Sequence, residues 1–120
     1  MSEVLKESIG RIEVAPEVLT TIARATVMRV EGIHKMASPP AEVAKLFRRP
    51  VRQDGVVLDW SNNDLKFEIY VIMDPKVNIV ETSRALQKAV VEAIDKMVGI
   101  PVSAVNIHVE NVVYADGQTA

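Results

Sequence analysis

Val56-Val57-Leu58-Asp59-Trp60-Ser61-Asn62-Asn63-Asp64-Leu65-Lys66-Phe67-Glu68-Ile69-Tyr70-Val71-Ile72-Met73 is the stretch that decides the fold. Val56, Leu58 and Trp60 alternate with Val57 and Asp59. Beyond the polar break at Ser61 to Asp64, Leu65, Phe67, Ile69, Val71 and Met73 alternate with Lys66, Glu68 and Tyr70. A period of two on both sides of a Ser/Asn/Asp cluster predicts a β-hairpin with one face turned to a core. The same period sets Phe67 and Tyr70 on opposite faces, so they cannot form one stacking platform for nucleobases.

Working outward, each flank of the hairpin carries a helix. Downstream, Asn78 followed three residues later by Glu81 resembles a capping box. Leu86, Ala89, Val90, Ala93, Ile94 and Met97 then line one helical face before Gly99-Ile100-Pro101 ends it. Upstream, Pro16 suits a first helical position and Glu17 the positive end of the dipole. Leu19, Ile22, Ala23, Thr26 and Val30 recur at helical spacing up to Gly32.

Outside the helices the pattern returns to strands. Ile12 and Val14 alternate with Arg11 and Glu13 in Gly10 to Val14, which stops at Pro16. Val105, Ile107 and Val109 alternate with Asn106, His108 and Glu110, with a bulge expected near Asn111. Between Ile33 and Gly55 the pattern loosens. Ser38-Pro39-Pro40 breaks the chain, and Ala41 to Arg49 suits about two turns of helix burying Val43, Leu46 and Phe47.

The order β-α-β-β-α-β predicts an α+β two-layer sandwich, a mostly antiparallel sheet with both helices on one face. The 120 residues allow one domain. It is expected over 10–115, with an N-terminal arm at 1–9 and a flexible tail at 116–120. Glu3, Lys6 and Glu7 argue against a secretory leader, and the apolar runs are strand-sized, well short of the roughly 20 residues of a membrane span.

Composition narrows the function classes. Fourteen Lys and Arg against sixteen Asp and Glu leave a net charge of -2, so no global field draws in nucleic acid or anionic lipid. There is no Cys, which removes disulfides and thiolate metal sites. His34 and His108 lack a second ligand at a metal-binding spacing and suit surface or turn positions. Asp59, Glu68 and Glu110 alternate with core positions and are expected on a solvated outer face.

The five glycines occur singly, so no loop wraps a phosphate. Ser8, Ser38, Ser61, Ser83 and Ser103 lack the elbow or neighbouring base of a nucleophile. The expectation is therefore no catalytic, cofactor-binding or metal-binding residues, and no cofactor. Two surfaces stand out instead. Lys45, Arg48, Arg49 and Arg52 surround Leu46 and Phe47 in a basic, amphipathic segment suited to touch anionic lipid, RNA or an acidic partner. Val105, Ile107 and Val109 mark a long final strand that, at a sheet edge, would offer unpaired backbone groups.

Several stretches together resemble one family. Gly10-Arg11-Ile12-Glu13-Val14-Ala15-Pro16-Glu17-Val18-Leu19, Ile22-Ala23-Arg24-Ala25 and Val30-Glu31-Gly32-Ile33 look like the opening of the bacterial alkaline-shock proteins, also called envelope stress response proteins. Gly55-Val56-Val57, Val77-Asn78-Ile79 with Arg84-Ala85-Leu86-Gln87, and Gly99 leading to Val105-Asn106-Ile107-His108-Val109 agree with it. The resemblance spans Gly10 to Val112. It departs at His34-Lys35-Met36-Ala37 and Pro39-Pro40, which puts any partner surface there in doubt.

The resemblance implies a non-enzymatic cytoplasmic scaffold or adaptor linked to envelope homeostasis. Such a protein would meet the membrane's inner face through an anchored protein partner; the two-layer fold, the missing chemistry and the long final strand add the expectation that it self-associates. The competing expectations are a small-molecule-sensing regulatory domain, tied to fatty-acid synthesis, and then RNA binding. Against RNA stand the missing Gly-x-x-Gly loop and the missing paired strand aromatics.

Overall fold

A computed structural model describes residues 3–7, 9–38, 50–61 and 64–113. The elements run β1 (Glu3–Glu7), β2 (Gly10–Val14), α1 (Pro16–Val27), β3 (Ile33–Met36), β4 (Pro50–Gln53), β5 (Val56–Ser61), β6 (Asp64–Met73), α2 (Ile79–Met97) and β7 (Val102–Val112). Among the described residues this is an α+β fold with two helices against a five-stranded sheet.

The expected hairpin is β5–β6, paired from Val56↔Ile69 to Ser61↔Asp64. It forms the middle of the sheet. One edge of β6 carries β5 and, in line with it, β3 at residues 71–73, both antiparallel. The other edge carries β7, parallel, from Leu65↔Val102 to Met73↔Val112. β4 closes the β5 side, antiparallel. The register shift where Ile72 meets Asn111 rather than Glu110 is the bulge expected in the last strand.

The core follows from the alternation. Val56, Leu58, Trp60, Leu65, Phe67, Ile69, Val71 and Met73 meet Leu19, Ala23 and Val27 of α1 and Leu86, Val90 and Ile94 of α2. The α2 N-cap is built as expected, with the Glu81 N–H donating to Asn78 Oδ1 at 3.0 Å. Gly55 is required where β3 ends against β5, on the same edge of β6. There the Ala37 N–H donates to the Tyr70 carbonyl, and the Tyr70 N–H to the Gly55 carbonyl, each at 2.8 Å. At its φ of +84° a Cβ would lie 2.7 Å from the Ala37 carbonyl oxygen.

Four expectations need correction. Gly10–Val14 is a strand, but it pairs with Glu3–Glu7 in a separate two-stranded sheet and stays outside the main one. Two four-residue strands, β3 and β4, occupy the stretch read as irregular, where so few residues leave no period to detect. Asp59 and Glu68 do lie on the outer face but are not solvated. Asp59 is 9% exposed and the Glu68 side chain 13%, the latter held by Asn106 and His108 of β7. Met97 is exposed, beside Val18 and Ile22 at the start of α1 instead of under the sheet. The helix expected over Ala41–Arg49 and the tail at 116–120 lie outside the described residues.

Candidate interaction surface

β7 is hydrogen-bonded to β6 along one side only; among the described residues no strand pairs with its other side. Which of its residues face that open side follows from the bonding of β6. The Tyr70 N–H and carbonyl both point to the β5/β3 side. Backbone groups alternate in direction along a strand. The even-numbered residues of β6 therefore serve β5 and β3, and the odd-numbered ones serve β7, as the bond from the Val113 N–H to the Met73 carbonyl bears out. In a parallel ladder, partners at the same register point to opposite sides, so Phe67, Ile69 and Val71 reach Asn106, His108 and the residues between which each sits. Val105, Ile107 and Val109 consequently turn their N–H and carbonyl groups outward, while their side chains pack on the core.

One of these outward groups is taken. Gln87, on α2, donates from Nε2 to the Val105 carbonyl at 2.9 Å. This fixes α2 above the open edge of β7 and leaves Ile107 and Val109 as the window of unpaired backbone.

The outer face of the same strand pair is polar and closed. Glu68 holds His108 Nε2 through Oε1 and accepts from Asn106 Nδ2 through Oε2, both at 2.5 Å, and His108 stacks on Tyr70 with ring centroids 4.4 Å apart. Both contacts tie β6 to β7. Tyr70 is 3% exposed, and burial, reinforced by the charges of Glu68 and Glu110, pushes its phenol above the ordinary value of 10.0. His108 is thus a strand histidine with a carboxylate partner, while His34 is exposed with Asp74 3.4 Å away. Alternation alone puts these four residues outward. Only the strand register brings them together.

Of the basic residues singled out in the sequence, Lys45, Arg48 and Arg49 lie outside the described residues. Arg52 belongs to β4, opposite Val57, at the far edge of the sheet from β7. The structure therefore does not bring Arg52 together with Val105, Ile107 and Val109. Among the described residues no group of three or more His, Asp or Glu is placed to hold a metal, and no helix is long and apolar enough to cross a membrane. Asp59 Oδ1 and Trp60 Nε1 are buried without a partner among the described residues, on the β5 side and away from the open edge.

A family model described as the alkaline shock protein 23 family, with a cell envelope-related function, matches residues 4–114. The chain belongs to the alkaline shock protein 23 family. Among relatives in this family, the uncharacterized protein Spy1535 of Streptococcus pyogenes serotype M6 is 34% identical over 108 residues, 89% of this chain and 82% of its own. The uncharacterized Bacillus subtilis protein YloU is 25% identical over 115 residues, 93% of this chain and 96% of its own. The uncharacterized Bacillus subtilis protein YqhY is 24% identical over 102 residues, 84% and 76%. No enzymatic family is indicated. A solved structure titled MamM-CTD 215-293 covers 80% of this chain and 98% of its own at 14% identity and a TM-score of 0.47, too distant to carry function across.

Proposed function

We propose that this member of the alkaline shock protein 23 family is a non-enzymatic scaffold or adaptor in cell envelope homeostasis, acting through protein–protein contacts at the open edge of β7. The observation that carries the reading is the pair of outward, unpaired backbone positions at Ile107 and Val109 on an 11-residue strand. Such an edge takes up an added strand through main-chain hydrogen bonds. The envelope link comes from the family. The protein is cytoplasmic in this reading, and reaches the inner face of the membrane through an anchored protein partner. The basic segment at Lys45, Arg48, Arg49 and Arg52 is a second contact surface for that partner.

Ile107→Pro tests the edge. It removes the outward N–H without touching the β6 ladder. Tagged wild-type and variant proteins, matched by circular dichroism, are used to capture proteins from membrane and soluble fractions. Loss of a specific captured protein by the variant supports strand addition at β7, and equal capture removes it. Reversing Arg48 and Arg49 to Glu should separately reduce recovery in the membrane fraction; unchanged recovery would discard the basic segment.

A further inference from the structure

We infer that two copies of this chain join β7 to β7, antiparallel about a twofold axis at His108, and that Gln87 sets this register. The inference rests on the strand-addition reading and specifies its partner. Because Gln87 occupies the Val105 carbonyl and the bulge follows Val109, Ile107 and Val109 are the residues between them whose outward N–H and carbonyl are both open to an arriving strand. A second copy offers the same window with the same limit. In an antiparallel pair the register Ile107↔Val109 of the second copy, repeated by symmetry, mates every outward group of both residues in both copies and leaves both Gln87 bonds intact. Centring the pair on Asn106 would need the Val105 carbonyl, and centring it on Glu110 would place the bulge in the ladder.

The helix above supports the same centre. α2 connects two parallel strands and so runs opposite to β7. From Gln87 back to Val80 is seven residues, about 10 Å of helix and nearly the same bearing. From Val105 on to His108 is three residues, about 10 Å of strand. Val80 therefore stands over His108, on the flank that overhangs the open edge. It is 57% exposed, an apolar side chain in the first turn of an otherwise capped helix. Across the twofold it meets Val80 of the second copy and covers the seam from above.

The chain contains no Cys, so single cysteines report on the register directly. At the centre of the pair, the facing residues form a non-hydrogen-bonded pair with Cα atoms about 4.5 Å apart, within disulfide reach. Under mild oxidation His108→Cys should shift from the monomer to the dimer band, and Asn106→Cys should stay monomeric. Adding Gln87→Ala to Asn106→Cys frees the Val105 carbonyl and should let the dimer band appear there. Val80→Glu, on an exposed position that does not endanger the fold, should raise the dimer dissociation constant roughly tenfold or more through like charges at the axis. Cross-linking of Asn106→Cys with Gln87 in place would overturn the register. A wild-type chain that stays monomeric by light scattering at all concentrations would overturn the dimer. If that monomer still loses its captured partner on Ile107→Pro, only the twofold falls. If capture is also unaffected, strand addition falls with it.

Discussion

Proline at two adjacent positions of β7 should have sharply unequal effects. Both substitutions carry the misfit of a fixed φ near -65° in extended backbone, and that cost cancels in the comparison. At position 107 the missing N–H faced outward, so the further loss is part of a half-buried isoleucine side chain, about 1–2 kcal/mol. At position 108 the missing N–H served β6, leaving a strand carbonyl unmet at about 1–3 kcal/mol. The His108 contacts to Glu68 and Tyr70 go as well, adding about 1 kcal/mol or more. The difference, about 2 kcal/mol, corresponds to a melting point for His108→Pro roughly 10 °C below that of Ile107→Pro in a domain of this size. Thermal unfolding followed by circular dichroism, at dilution sufficient to keep the chain monomeric, reads it. Equal melting points, or Ile107→Pro the lower, would show that the assigned direction of the backbone groups along β7 is wrong.

Other substitutions test the rest of the structure. Gly55→Ala and Gly99→Ala share a positive φ, +84° and +78°, but only at Gly55 would the new Cβ strike backbone, so its denaturant midpoint should fall further, by about 1–3 kcal/mol of overpacking. Phe67→Ala, at a fully buried position in the centre of the core, should cost about 3–5 kcal/mol in urea unfolding. Tyr70 has its folded pKa raised, so the unfolded chain loses this proton first. Its stabilisation is whole below pH 10.0 and is lost as pH rises through the higher folded value. The urea midpoint of wild type should accordingly fall relative to that of Tyr70→Phe as pH climbs beyond 10, and a constant gap would contradict the shift.

Much of the fold was legible where a pattern had length to repeat. Leu65 to Met73 gives nine residues of alternation, and Leu86 to Ile94 more than two helical turns, so both elements stand out against any alternative period. β3 and β4 have four residues each, and four residues fit a strand, a turn or a helix end equally well. Alternation also assigned Asp59 and Glu68 to the outer face correctly while misjudging their exposure, because it says which way a side chain points and nothing about its neighbours. Glu68 is covered by Asn106 and His108, about forty residues away, through a pairing register that local sequence does not encode. The Gln87 cap was hidden for the same reason. In the sequence Gln87 is one more polar residue on a helix, and only the seating of α2 over β7 turns it toward the Val105 carbonyl.

The position of β6 has a consequence for how the domain opens. Like β5, it has bonded neighbours along both edges, β5 and β3 on one and β7 on the other, so its amides can meet solvent only when the sheet comes apart. β7, β4 and β3 are each held from one side and can fray singly, which ranks them ahead of β5 and β6 in hydrogen exchange. A strand docked on β7 would turn a fraying margin into an interior position. Occupancy of the edge would thus be recorded as slowed exchange in β7 itself, coupling what the protein holds to how firmly its own sheet is closed.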